Sequence, residues 1–311
     1  MAPRSEPAPG SAPPARRYAV ALATSAAYAL LDADGPAFTA ALRAVGIDSQ
    51  RVIWDDAAID WAAYDAVVVR STWDYIDDLP RFLGWLQRPR RVINPAAVIR
   101  WNADKGYLAD LAAAGLPVVP TYYLAPAAAG PAWRDGGPAA WTQLVVKPAV
   151  SGSAKDTARF ERADRRADAL IARIHARGAT AMIQPYLPQV ARRGEASLVY
   201  FAGRYSHAAR KSPILLAAGV DGAIPGDDAG VLPTEPEPEQ RRIGDAVLAH
   251  LQERFGAPCY ARVDLLPSRT GPVVLEVELI EPNLWLFAPG AATRFAAAVR
   301  SHLDGADGGP A

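Results

Sequence analysis

The chain has 311 residues, half of them hydrophobic, and its 33 basic residues balance 33 acidic ones to give a formal net charge of zero. This length provides for two or three packed units. The lack of a basic excess argues against nucleic-acid and membrane-surface partners and favours small-molecule chemistry. With one cysteine, Cys259, no intramolecular disulfide can form. We therefore expect a cytoplasmic protein without a disulfide framework or a Cys/His zinc site.

The first residues differ in composition from the rest of the chain. Residues 1–17 are rich in proline, alanine and serine, which predicts a disordered tail. Arg16 and Arg17 precede an apolar run, which is one pattern of an export signal. That run continues directly into a loop and a helix, so we expect Tyr18–Thr24 to be the first strand. No apolar run is long enough to span a bilayer.

Residues 18–100 alternate between strand and helix patterns. The run "YDAVVVRST" is apolar through its centre, as strands buried in parallel sheets are. This β-α-β order predicts a domain built on a parallel α/β sheet. The predicted strands are 18–24, 50–56, 64–72 and 91–94, and the predicted helices are 37–45 and 79–87.

The rest of the chain is predicted to form two more units, 101–185 and 186–305. The first contains helices at 102–115 and 163–178, strands at 118–124, 142–148 and 181–187, and a loop at 125–140. The second contains strands at 196–203, 204–212, 259–267 and 272–283, helices at 239–256 and 291–303, and a loop at 218–238.

Lys147 ends the predicted strand 142–148, where α/β proteins often place ligand-contacting residues. The chain contains 29 arginines but only four lysines, so a retained lysine is a candidate for a role that needs a compact ammonium. Ser151, Gly152 and Ser153 follow it, and such a loop can fold its N–H groups over phosphates. No Walker A motif is present. The alternative is that Lys147 makes a structural salt bridge.

Carboxylates alternate along the predicted strand 272–283. Glu276 and Glu278 are two residues apart and therefore share a face, and Asp264 lies on the preceding strand. Three converging carboxylates favour a cation, and oxygen ligands suit Mg²⁺ beside nucleotide phosphates. A solvated acidic face is the alternative, but the intervening residues are apolar. Glu281 points to the opposite face and is left out of the predicted metal set.

These motifs, in this order, resemble the ATP-grasp superfamily over residues 100–290. The similarity is to the glutathione-synthetase-like branch, which also contains the cyclo-ligase that forms cycloserine from O-ureido-serine. "NADKGYL", "VVKPAVSGS", "MIQPYLP", "GE", "ARVDLL" and "LEVELIEP" carry the resemblance. It implies an ATP-grasp fold, of the α/β (α+β) class, preceded by a parallel α/β domain on the substrate side. Units 101–185 and 186–305 would then be the two ATP-grasp subdomains.

The resemblance also implies roles for single residues. Lys105 and Lys147 would hold phosphates, and Glu195 would contact the ribose. The phosphate-covering loop would be Ser151, Gly152 and Ser153; the adenine pocket would be lined by Gln184, Tyr186 and Leu187; and Asp264, Glu276 and Glu278 would bind two Mg²⁺ ions, with Mn²⁺ as an alternative.

Two positions depart from the pattern of the branch. Many relatives have E-x-N where this chain has Glu276-Val277-Glu278, although a glutamate also ligates Mg²⁺. Glutathione synthetase has an arginine where this chain has Ser197, which argues against glutathione as the product.

Substrate-binding residues are expected in the string "VVVRSTWDY". Arg70 would pair with a substrate carboxylate, and Ser71 and Asp74 would hold an amine or hydroxyl. The alternative is that Ser71 or Thr72 is the N-cap of the next helix. In "HAARKSP", Arg210 resembles the family's basic residue near the transferred phosphoryl group and the substrate carboxylate.

The activity that the resemblance implies is an ADP-forming carboxylate–amine ligase that works through an acyl phosphate. The "RSTWDY" string favours an intramolecular cyclo-ligase acting on an amino-acid-like small molecule, in antibiotic biosynthesis. Two alternatives stay open: an intermolecular peptide or amino-acid ligase, and a non-catalytic ATP-binding regulatory protein. Relatives are often dimers or tetramers, and the sequence leaves the oligomeric state open.

Overall fold

The computed structural model describes residues 17–126, 133–152, 154–213, 215 and 230–307. Within these ranges the chain forms three sheets, which follow one another along the sequence. The predicted tail up to residue 16, parts of the loops predicted at 125–140 and 218–238, and Ser153 of the predicted phosphate-covering loop lie outside the described residues.

The first sheet is parallel, as the β-α-β pattern predicts, and its four strands lie in the order β2-β1-β3-β4. Its central strand β3, Ala66–Ser71, is buried at every position because elements cover both faces. The other elements of this region are β1 (Tyr18–Thr24), β2 (Ile47–Ile53), β4 (Val92–Ile93), α1 (Gly35–Ala44) and α2 (Leu79–Trp85).

The predicted helix 102–115 begins only at Tyr107, as α4 (Tyr107–Ala113), and a helix that was not predicted, α3 (Ala96–Asn102), precedes it. The break between the two helices has a local cause, because the Asp104 carboxylate accepts a hydrogen bond of 2.7 Å from the Gly106 amide and forms a turn.

The second sheet is antiparallel, with the order β5-β8-β6-β7. The strand predicted at 118–124 is shorter, because Val119 pairs with Val274 of the third sheet and only the residues after Pro120 pair here. Strand β7 was not predicted. The elements are β5 (Tyr122–Leu124), α5 (Trp133–Gly136), β6 (Gln143–Pro148), β7 (Ala158–Glu161), α6 (Arg166–His175) and β8 (Ala181–Pro185).

The third sheet is also antiparallel, with the order β11-β10-β9-β12-β13. Strand β11 lies in the segment predicted as a loop, and its Pro233 is compatible with an edge strand. The elements are α7 (Val190–Arg193), β9 (Glu195–Phe201), β10 (Arg204–Lys211), β11 (Val231–Thr234), α8 (Pro238–Phe255), β12 (Tyr260–Ser268), β13 (Gly271–Glu278) and α9 (Ala291–Asp307).

The last helix returns to the first sheet. Phe295 of α9 stacks on Phe38 of α1 with ring centroids 4.1 Å apart, and on Phe201 of β9 at 5.0 Å. All three rings belong to one buried cluster that contains residues of both the first and the third sheet. The two sheets therefore share a hydrophobic core.

A buried polar link fixes the same two sheets relative to each other. Asn94, which follows β4, donates to the carbonyls of Tyr260 and Leu279 at 2.9 Å each and accepts from the Cys259 amide at 2.7 Å. The Tyr260 hydroxyl lies 2.8 Å from the Ile280 carbonyl. These bonds satisfy buried backbone groups that would otherwise lack partners.

Asn94→Ala is expected to lower the free energy of unfolding by about 3 kcal/mol, because it leaves buried carbonyl and amide groups unsatisfied. Urea denaturation measures the change. The control is Gln87→Ala at an exposed position, which is expected to change stability by less than about 0.5 kcal/mol. Equal effects of the two substitutions would contradict this account.

Candidate active site

Charged residues gather on one face of the third sheet. In its register Lys211 lies opposite Glu195, Asp264 lies between Ser197 and Glu276, and Arg262 lies opposite Glu278. Along β9, β12 and β13 these residues alternate with apolar ones. Directly opposed residues of neighbouring strands point to the same face. The other face packs on α8 through an apolar cluster.

Asp264, Glu276 and Glu278 each present an oxygen, and these three oxygens lie within 4.8 Å of one another. Asp264 is fully buried, whereas the side chains of Glu276 and Glu278 are 20% and 29% exposed. The predicted set is thus brought together with one side open. Three carboxylates in this arrangement fit a hard divalent cation such as Mg²⁺, which keeps positions free for phosphate or water.

Two cations neutralise much of this negative charge. Arg262 donates to both oxygens of Asp264, at 2.9 and 2.8 Å, and also pairs with Glu278. Lys211 donates to Asp264 at 2.8 Å and pairs with Glu195. The bidentate geometry of the Arg262 pair is typical of strong, charge-assisted hydrogen bonds.

The three carboxylates differ in their titration. Burial favours the neutral acid at each, but Arg262 and Lys211 hold the pKa of Asp264 well below its ordinary value. Burial is likewise outweighed at Glu276, where Lys105 and Lys147 lower the pKa. At Glu278 burial and the neighbouring carboxylates outweigh Arg262 and raise the pKa to about 7. Glu278 is therefore the carboxylate that titrates near neutral pH.

Lys105 reaches this cluster from the link between α3 and α4. Asn102 bonds the Val277 carbonyl at 2.7 Å and the Leu279 amide at 2.8 Å. Tyr107 bonds both backbone groups of Val277, at 2.9 and 2.8 Å. The two side chains fasten the link to the outer edge of β13 and thereby place Lys105, whose ammonium lies 3.6 Å from Glu276.

Lys147 is 7% exposed at the end of β6, and burial lowers its pKa to about 8. Among the described residues no carboxylate lies within ion-pair distance of it, so the alternative of a structural salt bridge is not supported. The Lys105 ammonium donates to the Ser151 carbonyl at 2.6 Å. Both lysines and the start of the loop, Ser151 and Gly152, lie on the same side of the cluster.

The residues predicted to line the adenine pocket follow one another at the end of β8. Gln184 is 2% exposed and donates to Thr121 at 2.9 Å. The Arg159 guanidinium lies 3.7 Å from the ring centroid of Tyr186, and Leu187 is partly buried.

Glu195, predicted to contact a ribose, begins β9 on the charged face, and burial raises its pKa to about 8. Gly194 permits the close approach of β9 and β10 there. It has φ +69°, and a Cβ at this position would lie 2.5 Å from the Lys211 carbonyl oxygen.

Arg210 is not brought to the cluster. It is exposed and alternates with Lys211 on β10, so it points to the opposite face. The basic residues that bond Asp264 are Lys211 and Arg262, neither of which was predicted to have a role. Arg262 could have been found from its position two residues before Asp264 on the same strand.

Arg70 and Ser71 both bond Asp32, which lies in the segment that follows β1. The Arg70 guanidinium is 1% exposed and lies 2.7 Å from Asp32, and the Ser71 hydroxyl accepts from the Asp32 amide at 3.1 Å. Thr72 is the N-cap residue of the following turn of 3₁₀ helix, as the alternative predicted, although its side chain makes no capping hydrogen bond; Ser71 is the last residue of β3. Asp74 accepts from Trp54 at 2.8 Å, and burial raises its pKa.

Three buried oxygens at this end of the first sheet have no hydrogen-bond partner within the described part of the chain: Ser25 Oγ, Thr72 Oγ1 and Asp32 Oδ1. They follow β1 and β3, the two central strands of the sheet. Buried polar atoms are normally satisfied, so these three mark a place where water or a polar ligand fits.

The phosphate-covering segment meets the first region of the chain. Lys155 pairs with Asp77, and a cavity of about 280 Å³ separates the two segments. Ile76, Pro80, Val150 and Ser151 are among its lining residues.

The comparisons with known proteins agree with this geometry. Residues 20–94 match the family model "D-cycloserine synthetase DcsG, N-terminal domain". The cycloserine biosynthesis protein DcsG of Streptomyces lavendulae is 38% identical over 298 residues, which are 91% of this chain and 98% of that protein. The chain belongs to the DcsG family of ATP-grasp ligases.

Solved structures agree with membership of the DcsG family. The crystal structure of D-cycloserine synthetase DcsG superposes with a TM-score of 0.85 at 36% identity, covering 92% of this chain and 99% of that one. The D-alanine–D-alanine ligase of Bacillus anthracis in complex with ATP gives a TM-score of 0.62 at 14% identity and covers 93% and 98%. The ATP-grasp ligase PsnB in complex with Mg and ADP gives a TM-score of 0.58 at 16% identity and covers 92% of this chain and 98% of that one. At these identities, the D-alanine–D-alanine ligase and PsnB show the fold alone.

The predicted superfamily, the fold class and the enzymatic nature of the chain are thereby confirmed. Membership of a ligase family decides against the non-catalytic alternative. Among the described residues, the helices are too short or too polar to cross a membrane.

The pKa of Glu278 makes a pH-dependent metal affinity testable. A cation displaces the proton of this carboxyl, so affinity for Mn²⁺ as a Mg²⁺ substitute is expected to rise about tenfold from pH 6 to pH 8 and then level off. Calorimetric titration at saturating ADP measures it. The same titration of Glu278→Gln gives the contribution of the nucleotide's own ionisation, and an equal pH dependence in both proteins would refute the role of Glu278.

Proposed function

We propose that the protein is an ADP-forming carboxylate–amine ligase that closes a ring within an amino-acid-like substrate through an acyl phosphate. The observation that carries the proposal is the charged face, where three carboxylates meet Lys211 and Arg262 and lie beside the lysines of α3–α4 and β6. Cytoplasmic ATP would be the phosphoryl donor.

The nucleotide would lie between the second and third sheets. Gln184, Tyr186 and Leu187 would line the adenine pocket, and Glu195 would contact the ribose. Asp264, Glu276 and Glu278 would hold Mg²⁺, which supplies charge neutralisation at the phosphates when it is bound.

Lys147 and Lys105 would position the α- and β-phosphates. An ammonium that is buried without a partner is costly, as the lowered pKa of Lys147 reflects. A phosphate is the counterion that this position lacks. Nucleotide binding would thus stabilise the charged form of Lys147.

Arg262, rather than Arg210, is proposed as the arginine that stabilises the phosphoryl group in transfer. It is 5% exposed and already lies between Asp264 and Glu278, where the transferred group must approach. A preorganised guanidinium stabilises the charge that develops there without reorganisation during the reaction.

The reaction would have two steps. A carboxylate oxygen of the substrate attacks the γ-phosphorus of ATP, the bond to the β-phosphate oxygen breaks, and ADP leaves. The amine nitrogen of the same molecule then attacks the acyl carbon, phosphate leaves, and the nitrogen loses a proton. The loop at Ser151 and Gly152, joined to the first region by the Lys155–Asp77 pair, would keep water from the acyl phosphate.

ADP release with ATP and Mg²⁺ tests the function. O-ureido-serine and O-amino-serine are supplied as both enantiomers, singly, beside pairs of amino acids and dipeptides, and products are identified by mass spectrometry. ADP together with the cyclic product from one compound supports the proposal. ADP only from a pair of substrates indicates the intermolecular ligase instead, and no ADP from any compound rejects both.

Lys147→Met is expected to lower ADP release at least about 100-fold while the protein stays folded, because it removes a phosphate-binding charge but suits a buried site. Arg192→Met, at an exposed position of α7, is the matched control. Turnover that survives Lys147→Met would remove Lys147 from the site.

The two candidate arginines are separated by comparing Arg262→Lys with Arg210→Met. Arg262→Lys is expected to lower kcat about 100-fold, because lysine cannot form the bidentate pair with Asp264. Arg210→Met is expected to stay within about twofold of wild type, since Arg210 points away from the cluster. The reverse order of effects would return the role to Arg210. Circular dichroism of both variants checks the fold.

A further inference from the structure

Glu281 lies at the junction of the metal cluster and the first region of the chain. It follows β13, three residues after Glu278, and its backbone carbonyl accepts a hydrogen bond of 3.0 Å from Trp73. The next carbonyl, that of Pro282, lies 3.5 Å from Arg70. The residue is therefore held at its backbone by the same 70–77 segment in which the sequence places the substrate.

The carboxylate of Glu281 has no hydrogen bond or ion pair with the side chain of another described residue, and it is partly buried. The nearby cations are already used, since Lys105 bonds Ser151 and Arg262 bonds Asp264. Burial and the negative charge of Glu278 raise its pKa well above the ordinary value. A carboxylate in this position lacks a cationic partner.

A resident metal ion is not that partner. The three carboxylates whose oxygens converge are Asp264, Glu276 and Glu278, and Glu281 is outside this group. The sequence analysis excluded it from the metal set as well. A structural ion pair is also absent within the described part of the chain, so the missing cation must come with a ligand.

We propose that Glu281 binds the α-ammonium group of an α-amino-acid substrate and selects for it. This inference rests on the proposed function. The carboxylate that is phosphorylated must approach the metal cluster and Arg262, and an α-ammonium is attached to the adjacent carbon. Glu281 follows β13 three residues after Glu278, and its backbone bonds Trp73 of the segment predicted to hold the substrate, which places it on the substrate side of the cluster.

The chemistry of the selection is simple. An α-ammonium supplies a positive charge to a carboxylate whose hydrogen bond comes from its own backbone amide, so binding gains a charge-assisted hydrogen bond. A substrate without the amino group leaves Glu281 unpaired and is rejected, because an unsatisfied buried group is costly. Glu281 therefore distinguishes amino acids from other aminooxy acids.

Two substrates that differ only in this group test the inference. O-amino-serine carries the α-ammonium, and 3-(aminooxy)propionate lacks it. Wild type is expected to prefer O-amino-serine by at least about 100-fold in kcat/KM. In Glu281→Gln this preference falls to less than about tenfold through loss with O-amino-serine, whereas KM for ATP stays unchanged. Glu281→Asp retains part of the preference.

Glu253→Gln, at an exposed position of α8, is the matched control and is expected to behave as wild type. The wild-type ratio alone decides the inference if a variant fails to fold. Wild type that turns over both compounds equally leaves the ligase function standing and overturns the role of Glu281. Wild type that neither turns over nor, by calorimetry with ADP and Mg²⁺, binds either compound overturns both.

Discussion

The compensation of buried charge on one face of the third sheet is the constraint on which the rest of the structure depends. Asp264 is fully buried and stays ionised only because Arg262 and Lys211 bond it from two strands. The Lys211–Asp264 pair and the Arg262–Glu278 pair require the register of β9, β10, β12 and β13 to be kept to a single residue. Removing one partner would leave an unpaired buried charge, which costs more than the pair contributes. The site is thus assembled by folding before any ligand arrives.

The α3–α4 link and the first sheet hold the strands of this face in place through hydrogen bonds to their backbone. The link between α3 and α4 satisfies the outer backbone groups of β13 through Asn102 and Tyr107, which otherwise would be an open sheet edge. The first sheet is fastened to the far end of the same strands by Asn94. These two attachments fix the positions of Lys105 and Glu281. Lys105 lies in the α3–α4 link, and Glu281 lies two residues after Leu279, whose carbonyl Asn94 bonds.

Much of the fold could be predicted from the sequence, because apolar periodicity marks buried strands and glycine or proline marks their ends. The convergence of Asp264, Glu276 and Glu278 could be predicted for the same reason, since period-two spacing places Glu276 and Glu278 on one face. Arg210 was chosen over Lys211 from the family resemblance, which does not fix the face of β10 on which each residue lies; strand pairing places Lys211 opposite Glu195 on the charged face. The edge strand β11 was missed because it has only four residues, contains Pro233 and is paired on one side only. The ion pair between Arg70 and Asp32 could not be predicted, because it joins residues that are 38 positions apart in the sequence.

The position of α9 limits how the substrate specificity of this enzyme can be changed. The core of the first sheet is completed by Phe295, a residue from the other end of the chain, so an amino-terminal segment transplanted from a relative would arrive without part of its own interior. Chimeras joined near residue 100, where the first region ends, would leave Phe38 and its neighbours without their contact to Phe295. Recombination between family members is accordingly a poor route to altered specificity here. Two routes remain: point substitutions around the charged face, and exchange of the first sheet together with α9.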